Sequence, residues 1–274
     1  MASELVERYF RKETLPNIWC PGCSNGTVTS AIVRAIDNLG LDQDKVCIVS
    51  GIGCSSRASG YLDFNTLHTT HGRAIAFATG IKFANPELTV IVITGDGDNA
   101  AIGGNHFIHA CRRNIDLTVV MYNNHIYGMT GGQYSPTTPR FDRATTAPYG
   151  NIDRYFDICK LAIGAGATYV ARGTAYHVQQ LTKLIERGIS HKGFSFIEAL
   201  SICPTYYGRK NKKGTPADML KWLKDHAVDI KQASKIDPEE LHNKFIIGEL
   251  LNIDEPEFAE EYQKMLNNLK VNYK

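Results

Sequence analysis

Gly95-Asp96-Gly97 and, twenty-five intervening residues later, Asn123-Asn124 have the residue types and spacing to hold a charged ligand in this chain of 274 residues. Each string directly follows an apolar run of strand length, Leu88 to Thr94 and Leu117 to Tyr122. Neighbouring parallel strands open their carboxyl ends side by side, so Asp96 and Asn124 can meet at one point outside the sheet. One carboxylate and one amide oxygen suit a hard cation. So few protein oxygens leave coordination positions for phosphate, which is how Mg²⁺ is normally used. The small residues Gly95, Gly97, Ala100, Ala101, Gly103 and Gly104 let backbone approach a diphosphate, with amide donors at the start of the following helix. Gly-Asp-Gly alone is no more than a tight turn; the Asn pair one crossover unit away makes it a diphosphate and metal site.

The second chemical signal is sulfur. Of seven cysteines, Cys20 and Cys23 form a C-x-x-C loop, Cys54 falls four residues after the strand-like Lys45 to Ser50, and Cys203 three after Phe194 to Leu200. If both strands are parallel members of one sheet, the last two thiols emerge on the same edge as Asp96. The Cys20/Cys23 loop precedes the first helix, whose positive end favours thiolates. Four thiolates hold either Zn²⁺ or a [4Fe–4S] cluster, and spacing does not choose between them. Cys47, Cys111 and Cys159 fall in apolar runs or a helix and read as small core residues. His71 sits in a His-Gly-Arg turn before a helix, suited to a polar contact with a ligand. His106, His109 and His125 have no ligand spacing.

The elements that must position these residues alternate from about 24 to 200: apolar strand-like runs and amphipathic helices, the pattern of a mainly parallel sheet flanked by helices on both faces. Expected helices cover Val28 to Leu39, Ala74 to Phe83, Gly104 to Arg113 and Tyr176 to Arg187. A further strand is expected at Ala167 to Ala171. Gly164-x-Gly166 reads as a helix stop. The stretch 130–150, rich in Gly, Pro, Ser and Thr, is too long for a plain connector, and such loops tend to carry function. Residues 1–208 then form the ligand-binding domain, and 209–274 a charged helical extension whose basic run Arg209, Lys210, Lys212, Lys213 reads as a solvated loop. With 30 lysines and arginines against 28 aspartates and glutamates, the net charge of +2 gives no cationic field for nucleic acid. Neither an export signal nor a membrane span is apparent, so a cytoplasmic location with reduced thiols is expected.

Gly-Asp-Gly, a gap in the mid-twenties and Asn-Asn resemble the thiamine-diphosphate motif. The longer string GDGDNAAIGGNHFIHACRRNIDLTVVMYNNHIYGMTGGQ resembles the β subunit of the 2-oxoacid:ferredoxin oxidoreductases, a likeness covering most of residues 15 to 205. That resemblance implies the thiamine-diphosphate-binding α/β fold, with Mg²⁺ on Asp96, Asn124 and the main-chain carbonyl of Ile126. It implies cofactor contacts at Ile52, Gly53, Cys54, Ser55, His71, Gly97, Asp98, Gly128 and Met129. It also chooses the [4Fe–4S] cluster, on Cys20, Cys23, Cys54 and Cys203. The reaction implied is oxidative decarboxylation of a 2-oxoacid with coenzyme A to acyl-CoA, CO₂ and reduced ferredoxin.

Arg57, three residues after Cys54, could grip the distal carboxylate of a dicarboxylic oxoacid in bidentate fashion. Gly51-Ile-Gly-Cys-Ser-Ser-Arg and Tyr127-Gly-Met-Thr-Gly-Gly-Gln look more like the 2-oxoglutarate-type subunits than the pyruvate-type. Thiamine chemistry needs a glutamate at the aminopyrimidine, and Glu87, at the opposite edge of its strand, is the one glutamate in residues 45–140. A partner, the α subunit, is therefore expected to supply it. No ferredoxin-like cysteine run is present, so further clusters would lie on another chain such as a small ferredoxin-like subunit. Two alternatives share parts of these motifs. One is a non-redox thiamine-diphosphate decarboxylase or lyase with structural zinc; the other is a regulatory nucleotide-binding module.

Overall fold

Among the described residues the strands are β1 (Val46–Ser50), β2 (Asn65–His68), β3 (Thr89–Gly95), β4 (Leu117–Asn123), β5 (Ile126–Tyr127), β6 (Gln133–Tyr134), β7 (Tyr169–Thr174), β8 (Phe194–Leu200), β9 (Ala227–Asp229) and β10 (Phe245–Asn252). They belong to a computed structural model that describes residues 2–241 and 243–272. Eight of them form one sheet in the order β2-β1-β3-β4-β8-β7-β10-β9, and β5 and β6 form a separate hairpin. All pairs from β2 across to β7 are parallel, whereas β10 runs antiparallel to β7.

Alternation along each strand feeds two cores. Ile48, Ile91, Ile93, Val120 and Ile197 face the helices Asn25–Asn38 and Val178–Ser190. Val49, Val90, Val92, Val119, Met121 and Phe196 face the helices Ala74–Ala84, Gly104–Arg113 and Ile158–Gly164. Strands buried on both faces carry apolar side chains at successive positions, which is why β1, β3, β4 and β8 read so plainly as continuous runs. The helix Gly104–Arg113 has the expected bounds, and Cys47, Cys111 and Cys159 are buried core residues as expected. Gly166, at φ +93, follows the helix stop at Gly164.

Three elements differ from expectation. β7 runs on to Thr174, past the charged Arg172, because Arg172 pairs in register with Glu198 of β8 and is neutralised there. The following helix starts two residues later than expected, after Thr174 Oγ1 accepts the His177 N–H at 3.1 Å. The tail expected to be helical contains the helices Pro216–His226 and Phe258–Asn272, but also β9 and β10. β10 buries Ile247 and extends the main sheet. Its run of branched residues, Phe245 to Ile247, suits a strand rather than a solvated helix.

Candidate functional site

The loops that leave β1, β2, β3 and β4 meet at the carboxyl edge of the sheet. Ile52, Gly53, Cys54, Ser55, His71, Asp96, Gly97, Asp98, Asn124, Ile126, Gly128 and Met129 line one cleft there, with Tyr122, Tyr127 and Thr130 completing it. Asp98 ties three of these loops together. Its Oδ1 accepts the Ile52 N–H at 3.2 Å and the Gly72 N–H at 2.7 Å, and lies 2.5 Å from His71 Nδ1. Because a carboxylate only accepts, that contact places a proton on Nδ1 of the half-buried His71, which lines the cleft. Gly51 has to be glycine, because a Cβ there would collide with the Asp98 carboxylate. Gly97 has to be glycine for the same reason, since its missing Cβ is replaced by the ring of Tyr127.

Asp96 is buried at 3% exposure, and burial pushes its carboxyl above the usual range against the hydrogen bonds from Ser135 and Thr137. A charged Asp96 therefore gains from a cation beside it. Asn124 is buried alongside, its Oδ1 accepting the Ile126 N–H at 3.2 Å with a lone pair to spare. Ser55 Oγ is buried in the same cleft and finds no protein partner, as a donor kept for an anionic oxygen would. Small backbone, an acid, an amide oxygen and an unspent hydroxyl fit a diphosphate with its metal.

Cys20, Cys23, Cys54 and Cys203 line a second cavity that adjoins the first; Cys54, Asn124, Gly128 and Met129 line both. Two bonds hold the loop of Cys20 and Cys23 against the other cysteines. Trp19 Nε1 donates to the Cys54 carbonyl at 2.7 Å, and the Ile202 N–H donates to Ser24 Oγ at 2.8 Å. Burial, with the neighbouring thiols adding, pushes Cys23 up to about 12 and Cys54 up to about 11. Such a group of thiols ionises together only around a cationic centre. Among the described residues, the trio of ligand-bearing side chains whose atoms all lie within 4.8 Å of one another is Asp157, Cys159 and Glu198, so no three of these four thiols are that close. Tetrahedral zinc, with bonds of about 2.3 Å, would draw its sulfurs to roughly 3.8 Å from each other.

Arg57 is exposed and lines the cysteine cavity rather than the cleft. Glu87 is paired with Lys45 at the amino edge of β1, at the opposite end of the sheet from the cleft. His125 bonds the Thr137 carbonyl through Nδ1 at 2.9 Å, and burial lowers its pKa. Sequence reasoning missed Ser135 and Thr137, which touch Asp96 from the long loop, and the buried Glu198–Arg172 pair behind them. The loop's composition marked the segment as a whole, but nothing in it distinguished these two hydroxyls from their neighbours.

Residues 51–199 match the family of the thiamine pyrophosphate enzyme, C-terminal TPP binding domain. The chain is 57% identical over 263 residues to 2-oxoglutarate synthase subunit KorB of Methanocaldococcus jannaschii, covering 96% of this chain and 97% of that one. It is 45% identical over 232 residues to 2-oxoacid:ferredoxin oxidoreductase subunit beta of Saccharolobus solfataricus, covering 83% and 74%. Among solved structures, 2-oxoglutarate:ferredoxin oxidoreductase from Magnetococcus marinus, with 2-oxoglutarate, coenzyme A and succinyl-CoA bound, is similar at a TM-score of 0.86 and 34% identity. That likeness covers 97% of this chain and 90% of the other.

Proposed function

The chain belongs to the β subunits of the 2-oxoacid:ferredoxin oxidoreductases, and from that premise we propose how its own residues serve the reaction. It is an oxidoreductase subunit that takes thiamine diphosphate, with 2-oxoglutarate and coenzyme A as substrates and ferredoxin as acceptor. Asp96, Asn124 and the Ile126 carbonyl would hold Mg²⁺, and Ser55 with the small backbone at Gly53 and Gly97 would take the diphosphate. Bound thiamine diphosphate would supply the carbon nucleophile for the oxoacid carbonyl and a sink for the electrons that remain when CO₂ leaves. His71, its Nδ1–H held by the Asp98 carboxylate, lines the cleft as a polar contact for the coenzyme or substrate. Arg57 grips the distal carboxylate of the oxoacid.

Cys20, Cys23, Cys54 and Cys203 would hold a [4Fe–4S] cluster, which would supply one-electron transfer toward ferredoxin. The ferredoxin-linked relatives support the cluster over a structural zinc and disfavour the non-redox alternative. A β subunit implies an α partner. We assign to that partner the glutamate that activates the aminopyrimidine, because no glutamate of this chain lines the cleft. No helix among the described residues is long and apolar enough to cross a membrane, and reduced thiols suit a cytoplasmic setting.

The observation that carries this reading is the cleft that gathers all the assigned coenzyme residues and shares Cys54, Asn124, Gly128 and Met129 with the cysteine cavity. The test is the absorbance of the complex purified without oxygen. A broad band at the visible–ultraviolet border that bleaches with dithionite is expected. Serine at any of Cys20, Cys23, Cys54 or Cys203 should diminish it, whereas serine at Cys47 or Cys111 should leave it intact. A colourless wild-type complex that still decarboxylates 2-oxoglutarate would sink the cluster assignment.

A further inference from the structure

Ser135 and Thr137 play no part in the reading above, yet both lie fully inside the protein against Asp96. Ser135 Oγ donates to Asp96 Oδ2 at 2.5 Å, and Thr137 Oγ1 lies 2.8 Å from the same oxygen. A carboxylate with two hydroxyls on one oxygen has its other oxygen left for a cation. The hydroxyls are themselves held. Ser135 N–H donates to Thr138 Oγ1 at 2.8 Å, and Thr138 Oγ1 donates to the His125 carbonyl at 2.6 Å.

Behind Thr137 runs a string of buried polar contacts. Thr137 Oγ1 lies 2.8 Å from Asn123 Oδ1 as well as from Asp96, so its one proton is shared between two acceptors, and the Asn123 amide donates to Glu198 Oε1 at 2.7 Å. Glu198 Oε2 accepts from Arg172 Nε at 2.5 Å, and Arg172 Nη2 donates to Asp157 at 2.7 Å. A carboxylate beside an arginine only accepts, so it turns the Asn123 amino group toward itself and the Asn123 carbonyl oxygen toward Thr137 and the His125 N–H, 3.1 Å away. The two asparagines of the pair thereby divide the work: Asn124 lines the cleft, and Asn123 stands behind it.

We propose that Ser135 and Thr137 are positioning residues for the metal-ligating Asp96, held by the buried string through Asn123, Glu198, Arg172 and Asp157, so that the 130–150 loop sets the metal affinity of the coenzyme site. This rests on Asp96 being a metal ligand, and the experiment separates the two. In the αβ complex stripped of coenzyme, Mn²⁺ is titrated with thiamine diphosphate present, and free Mn²⁺ is read by electron paramagnetic resonance. Asp96→Asn should abolish the tight site; if it binds as wild type does, the ligand assignment fails whatever the loop does.

With that control lost, Ser135→Ala and Thr137→Val should each weaken Mn²⁺ binding by about 10- to 100-fold, the usual effect of removing an outer-shell partner. Thr137→Ser should restore it. Wild-type affinity in both variants, or a lowered melting temperature of the metal-free complex with the affinity unmoved, overturns the proposal. Ser135→Ala deletes one atom and decides the matter alone if Thr137→Val does not assemble.

Discussion

Glycine at 97 is the residue whose replacement reads the cleft most directly, because the Tyr127 ring occupies the space where its Cβ would stand. Gly97→Ala has to displace that ring, and overpacking of this kind costs about 1–3 kcal/mol, or roughly tenfold to a hundredfold in affinity if the strain falls on the bound state. The expected outcome is weaker thiamine diphosphate binding with an unchanged cluster spectrum, measured by calorimetry and absorbance on the same sample. At this scale much was legible. Asp96 and Asn124 stood out by residue type and spacing, and the four cysteines by spacing together with the family resemblance; the structure brings each set to one cavity. Ser135 and Thr137 were not legible, because hydroxyl side chains are common in loops and only the fold brings this pair onto a carboxylate 39 and 41 residues away.

Among the elements, β7 and β8 carry the charge pair that ties the sheet to the site. Burial alone would raise Glu198, but Arg172 and the bonds from Asn123 and Cys159 hold its carboxyl below the ordinary 4.5. A carboxyl depressed in the folded state contributes its stability in full above the unfolded value, and loses it as pH falls through the lower folded one. Glu198→Gln should therefore cost about 3–5 kcal/mol near neutrality, by leaving Arg172 buried without its counter-charge. The gap to wild type should narrow below pH 4.5 in denaturant titrations. A gap that stays constant from pH 7 to well below 4.5 would show that the pair does not titrate as described. Parallel strands buried on both faces announced themselves as apolar runs, whereas β2, Asn-Thr-Leu-His at the sheet edge, has no such pattern. β10 escaped notice because it sits in a charged tail, with an irregularity between Glu249 and Leu251 that blurs its alternation.

For the molecule as a whole, no glutamate among the described residues lines the cleft, so turnover is expected of the complex. The isolated chain should bind the metal and coenzyme weakly and decarboxylate nothing, and adding the α partner should start the reaction. In that complex Arg57→Ala should raise the KM for 2-oxoglutarate while leaving residual pyruvate turnover alone; equal 2-oxoglutarate kinetics in the variant would remove Arg57 from substrate selection. The lack of a glutamate near the motifs led the sequence to an expected α partner, but gave no hint of which faces such a partner would cover, because loop residues such as Phe141, Tyr149 and Ile152 gave no apolar pattern to read. The structure leaves all three largely exposed. A last consequence concerns timing. Asp98 braces the strand-end turns at 51–52 and 71–72 against its own, so most of the disorder they could have is already lost when the chain folds. The vitamin-derived coenzyme should then meet a seat already formed, and rapid-mixing measurements of its capture should show a single phase without a slow closing step.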